Sequence, residues 1–171
     1  IYIKIVLLGE SKVGKTCLID AYFEKEFNYN KASTISKEIF RKFIKINKNK
    51  YYCINIWDTI GQEMYRSLTK SFLEKSNIVV FVYDITNRVT FLELGYWINT
   101  VNQDLESDKL VLGIAANKMD LVLNSKVDSK EGEEEAKKIG ATFVEVSAKD
   151  TPWDFIDFIN ELIKQFISKK N

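Results

Sequence analysis

The stretch GESKVGKT, Gly9–Thr16, follows the apolar run IYIKIVLL and opens into CLIDAYF, whose apolar spacing is helical. A turn on Gly9 and Gly14 that delivers Lys15 and Thr16 to the mouth of a helix matches Gly-x-x-x-x-Gly-Lys-Thr. In that pattern backbone N–H groups curl around an anion and the helix N-terminus adds its dipole. The expected phosphate cradle is therefore Gly9, Glu10, Ser11, Lys12, Val13, Gly14, Lys15, Thr16 and Cys17. Lys15 would reach the outer phosphates, and the Thr16 hydroxyl would ligate a magnesium ion.

Bulk composition narrows what surrounds this loop. With 171 residues, 46% of them hydrophobic and only one proline, the chain suits a single domain, residues 1–171, with a two-faced core. Basic and acidic residues number 25 and 24, which gives no electrostatic case for nucleic acid. Apolar runs such as IVVFVYDI fall short of a membrane span, and no signal peptide precedes the first strand, so a soluble, cytoplasmic protein is expected. Cys17 and Cys53 are expected to be reduced, structural thiols. The absence of histidine removes Ser-His-Asp and Cys-His nucleophile systems and the usual imidazole metal sites. Catalysis must then run on phosphate, magnesium, carboxylate, amide or hydroxyl groups.

Periodicity predicts strands near 2–8, 39–46, 51–57, 77–84, 110–116 and 141–146, and helices near 15–24, 65–75, 89–106, 129–138 and 153–168. The segment INKNKYY reads as a hairpin between the second and third strands, and ISKKN as a fraying helix end. Elsewhere strands and helices alternate. That order predicts an α/β fold, a mostly parallel sheet with helices on both faces and ligands at the carboxyl ends of the strands.

A phosphate loop needs an acidic residue on a neighbouring strand to hold magnesium, and INIWDTIGQE supplies Asp58. Gly61 then offers an unhindered N–H to the terminal phosphate, and Gln62 can orient an attacking water. Further on, GIAANKMDL ends the fifth strand with Asn117, Lys118 and Asp120. A carboxylate accepting two N–H bonds selects guanine, because adenine lacks that donor pair. In VEVSAKD, Ser147 can brace Asp120, the Ala148 N–H can meet the base oxygen and Lys149 can cover the ring.

Across essentially its whole length the chain resembles a small GTPase of the Ras superfamily, most closely the Rab branch: GESKVGKT, STIS, WDTIGQE, VYDIT, NKMD and SAK fall in that family's order and spacing. The resemblance implies a P-loop G domain with a six-stranded sheet, mostly parallel with one antiparallel strand. It also implies bound GTP or GDP with Mg²⁺, an exchange factor, a GTPase-activating protein, and effectors at two switch regions. By position, Phe27 matches the aromatic that packs on guanine, and Thr34 the threonine that reaches magnesium when the terminal phosphate is present. Catalysis would then fall to Gln62, Lys15 and Gly61, and metal binding to Thr16, Thr34 and Asp58. Membrane contact would come only through a lipidated tail, which this sequence does not carry.

Several residues depart from the Rab pattern. Lys12 enters the phosphate loop, Lys37 and Ile39 replace an apolar residue and an aromatic in the effector segment, and Ile60 replaces a small alanine. Of the Rab aromatic trio Trp57 and Phe72 remain. Two readings follow: a switch enzyme that hydrolyses GTP slowly, or a binding module held mainly in one state because Lys12 and Ile60 blunt hydrolysis. An ATP-using enzyme is disfavoured by Asp120.

Overall fold

The computed structural model describes residues 2–28, 38–47, 50–59, 72–104 and 110–170. Six strands form one sheet: β1 (Tyr2–Leu8), β2 (Glu38–Asn47), β3 (Lys50–Asp58), β4 (Ile78–Asp84), β5 (Val111–Asn117) and β6 (Thr142–Glu145), in the spatial order β2-β3-β1-β4-β5-β6. β2 runs antiparallel to β3, and every other pairing is parallel. The six expected strands are all present, within a residue or two of their expected ends.

β4 explains why continuous apolar runs, rather than alternating ones, mark the centre of the sheet. All seven of its residues are buried, with Val80 and Val82 in one core cluster and Val79, Phe81 and Tyr83 in the other. β1 divides the same way, Ile3, Ile5 and Leu7 against Val6 and Leu8. Each such side chain contributes about 1.5–3 kcal/mol of transfer free energy, so two covered faces are what this composition stabilises.

One face is closed by α1 (Lys15–Tyr22) and the last helix, whose Phe155, Phe158, Ile159, Leu162, Ile163 and Phe166 line the first cluster. The other face carries α2 (Arg88–Leu92), α3 (Leu94–Asp104) and α4 (Ser129–Ile139). A capping box on Asp128 and Glu131 starts α4, and Gly140 ends it in the left-handed region at φ 66°. The last helix, α5, spans Pro152–Lys170 and so continues through the segment expected to fray, where the Lys169 ammonium donates to the Leu110 carbonyl at 2.8 Å.

Two expectations need correction. The helix expected over 89–106 is two helices divided at Glu93, where the ladder tightens to Tyr96 N–H on the Glu93 carbonyl. A 3₁₀ helix over Met119–Asn124 was not expected, and it leaves Leu123 99% exposed. Of the helix expected over 65–75, residues up to 71 lie outside the described residues; Phe72 and Leu73 are helical and buried.

Candidate nucleotide site

Because the parallel strands point one way, their carboxyl ends gather Gly9, Asp58, Asn117 and Ser147 at one pole of the sheet. The chain leaves β1 through Gly9 at φ +148°, and a Cβ there would strike the Val82 carbonyl of β4. Gly14 caps α1 at φ +98°, and a Cβ there would run into the Asn117 amide. Both glycines of the motif are therefore required by approach as well as by backbone angle. Lys12, by contrast, holds φ 65° with a side chain, a conformation that costs about 1–2 kcal/mol and gathers at functional sites. Its side chain is exposed.

Lys15 is 5% exposed, and its ammonium donates to the Gly9 and Glu10 carbonyls at 2.8 and 2.9 Å. Burial lowers its pKa from 10.5 to about 8, against the opposing pull of Asp58 and Glu10. Between these values the unfolded chain binds more protons than the folded one, so ligand-free stability should rise as pH increases through that window. Polyphosphate affinity should move the other way, because the ammonium is the binding form. Above pH about 8, GDP affinity should fall by up to about tenfold per unit. Fluorescence competition from pH 7 to 9.5 checks this, and a flat profile would contradict it.

The Thr16 hydroxyl donates to Asp58 Oδ2 at 2.5 Å, and Asp58 is 1% exposed. Next to it the Thr59 hydroxyl donates to the Leu7 carbonyl at 2.6 Å, tying the end of β3 to β1. A neutral and an anionic hard oxygen at one point fit Mg²⁺, which prefers one or two carboxylates with phosphate oxygens and water. Among the described residues no cluster of three or more His, Cys, Asp and Glu could hold a metal by itself.

At the base end, the Ser147 hydroxyl donates to Asp120 Oδ1 at 2.7 Å and accepts from the Asp150 and Lys149 N–H groups at 2.9 and 3.3 Å. Ser147 thus braces Asp120 as expected. Asn117 does something the sequence did not reveal: its amide donates to the Val13 carbonyl at 2.8 Å and its oxygen accepts from Ala148 N–H at 3.3 Å. It fastens the phosphate loop to the SAK segment, and the Ala148 N–H meets Asn117 in this structure. Lys118, at φ 72°, pairs its ammonium with Asp84 Oδ2 at 2.5 Å. Lys149 lies 3.9 Å from Asp150.

Two contributors were missed. Asp84 ends β4, accepts from the Thr86 N–H and hydroxyl at 2.8 and 2.7 Å, and anchors Lys118; its signal was an acidic residue closing the run IVVFVYD. Trp97 of α3 donates its indole N–H to Glu10 Oε1 at 3.2 Å, bracing the loop from 87 residues away, a separation no local pattern reports. Ser11 and Cys17 are half-buried, Val13 is buried in the core, and Phe27 is exposed in the segment after α1. Thr34, Gly61 and Gln62, with Lys37 and Ile60, lie outside the described residues.

A cradle of main-chain groups with one buried ammonium, an adjoining hydroxyl–carboxylate pair and a braced carboxylate beyond them can take a polyphosphate at one end and a base at the other. The family model of the Ras family matches residues 4–167, which include every part of this site. The chain belongs to the Ras family of small GTP-binding switches.

Proposed function

We propose that this protein cycles between GTP and GDP forms with Mg²⁺ and hydrolyses GTP slowly by itself. The observation that carries the guanine reading is the Asp120 carboxylate steadied by the Ser147 hydroxyl at 2.7 Å, beside an Asn117 that ties the base loop to the phosphate loop. A fixed carboxylate facing a ring N–H and the adjacent amino group rewards guanine and penalises adenine. Lys15 neutralises charge on the outer phosphates, the Gly61 N–H meets the terminal phosphate, and Gln62 orients the attacking water. Thr16 and Asp58, with Thr34 in the GTP form, hold Mg²⁺, which neutralises charge between the outer phosphates when bound.

The loops around Thr34 and Gly61 order with the terminal phosphate and present residues 34–41 and 57–72 to effectors, an exchange factor and a GTPase-activating protein. By its likeness to the Rab branch we place the protein in vesicle trafficking, as a monomer that is cytoplasmic or peripheral on intracellular membranes through a lipidated tail.

Thr16→Asn tests the magnesium role, because it removes a hydroxyl ligand. It should weaken GTP on the order of tenfold more than GDP in Mg²⁺, with the difference abolished by EDTA. Equal loss for both nucleotides would contradict the assignment. A second reading, a module with blunted hydrolysis, is favoured by the left-handed Lys12 inside the phosphate loop and by Ile60 next to Gly61. In single turnover, Ile60→Ala should then hydrolyse GTP several-fold faster than the parent; an unchanged rate removes that reading.

A further inference from the structure

The nucleotide site occupies the carboxyl-end pole of the sheet; the opposite pole, at the amino ends of the parallel strands, carries a different chemistry. Alternation along β2 puts Arg41 and Lys45 on one face with Phe43, whereas Lys42 turns to the other, its ammonium 5.1 Å from the Tyr22 ring centre. Register places Phe43 opposite Cys53, and Cys53 beside Tyr2, in one row across β2, β3 and β1. In the next row Lys45 lies opposite Tyr51, with its ammonium 5.9 Å from the ring centre.

The three aromatics of this face are open: Tyr2 is 71%, Phe43 68% and Tyr51 55% exposed. On the other side of the same strands Ile44 and Tyr52 pack into the core. Binary patterning thus turns large apolar rings outward where a solvated strand would carry small polar groups.

We propose that the outward face of β2 and β3, with Tyr2 of β1, forms a docking face for an anionic phospholipid bilayer. Lysine and arginine stems with terminal charges, interleaved with tyrosine and phenylalanine, match a headgroup layer that is negative outside and apolar a few ångströms in. A bilayer accommodates rings and charges spread over three neighbouring strands without needing a matched partner for each. Docking by this pole holds the phosphate loop and Asp120 away from the lipid. The face is remote from the nucleotide site, so its failure would leave the proposed GTP cycle untouched.

Co-sedimentation of the GDP-bound chain with phosphatidylcholine vesicles, with or without about 30 mol% phosphatidylserine, tests this at low salt. At least about tenfold more protein should sediment with the anionic vesicles, and about 0.5 M salt should release it. Lys45→Glu should reduce sedimentation on the order of tenfold. Phe43→Gln should reduce it several-fold with the salt response retained, whereas Lys130→Glu on α4 should leave it unchanged. GDP binding, measured alongside, confirms that each variant is folded, and Lys45→Gln replaces Lys45→Glu if that variant is not.

Equal sedimentation with both vesicle types would overturn the proposal, as would equal loss in Lys130→Glu. Displacement from vesicles by polyglutamate or polyuridylate, together with indifference to Phe43→Gln, would overturn it in favour of a general polyanion site.

Discussion

Asp120→Asn should lower affinity for GTP and GDP by a factor on the order of 10³ or more and raise affinity for xanthosine diphosphate. The carboxylate is the acceptor for two guanine donors, and an amide turns one of those contacts donor against donor. Xanthine carries an oxygen where guanine carries its amino group, so the amide N–H regains a partner there. Ser147 donates to Asp120 Oδ1 at 2.7 Å, and an asparagine oxygen accepts that bond equally well, so the loop should stay in place. Competition of the variant against labelled GDP by xanthosine and guanosine diphosphates measures both halves. An unchanged preference would remove Asp120 from the base site.

Lys15→Met should reduce nucleotide affinity by at least about 100-fold while moving the melting temperature of the ligand-free protein by only a few degrees. The two effects separate because burial already holds the Lys15 pKa down near 8. Methionine fills a similar volume and removes the cost of burying an ammonium, offsetting the lost hydrogen bonds to the Gly9 and Glu10 carbonyls. The nucleotide loses a desolvated cation beside its phosphates, and nothing compensates that. Isothermal titration and thermal unfolding check the two arms. Loss of the fold in parallel with binding would make Lys15 a structural residue of the loop.

What could be read ahead of the structure was whatever the chain encodes locally. The run IVVFVYD announces a strand buried on both faces, and the spacing of Gly9, Gly14, Lys15 and Thr16 announces a strand–loop–helix junction, because both signals lie within a few residues. Ser147 could be paired with Asp120 for a different reason: each sits in a short motif whose chemistry requires the other.

What escaped notice depends on tertiary approach. Trp97 reaches Glu10 and Asn117 reaches Val13 only after the sheet has assembled, and neither residue carries a pattern that names its partner. The 3₁₀ helix over Met119–Asn124 escaped because its apolar residues suggest burial, whereas none of them is buried and Leu123 is almost wholly exposed. The division of the long helix at Glu93 lies inside an otherwise continuous helical pattern.

Equilibrium competition of GTP, GDP and ATP for the purified protein, with Mg²⁺ present, measures guanine selectivity itself. GTP and GDP should displace labelled GDP at concentrations several orders of magnitude below those at which ATP does so. Displacement by ATP at concentrations comparable to GTP would contradict it.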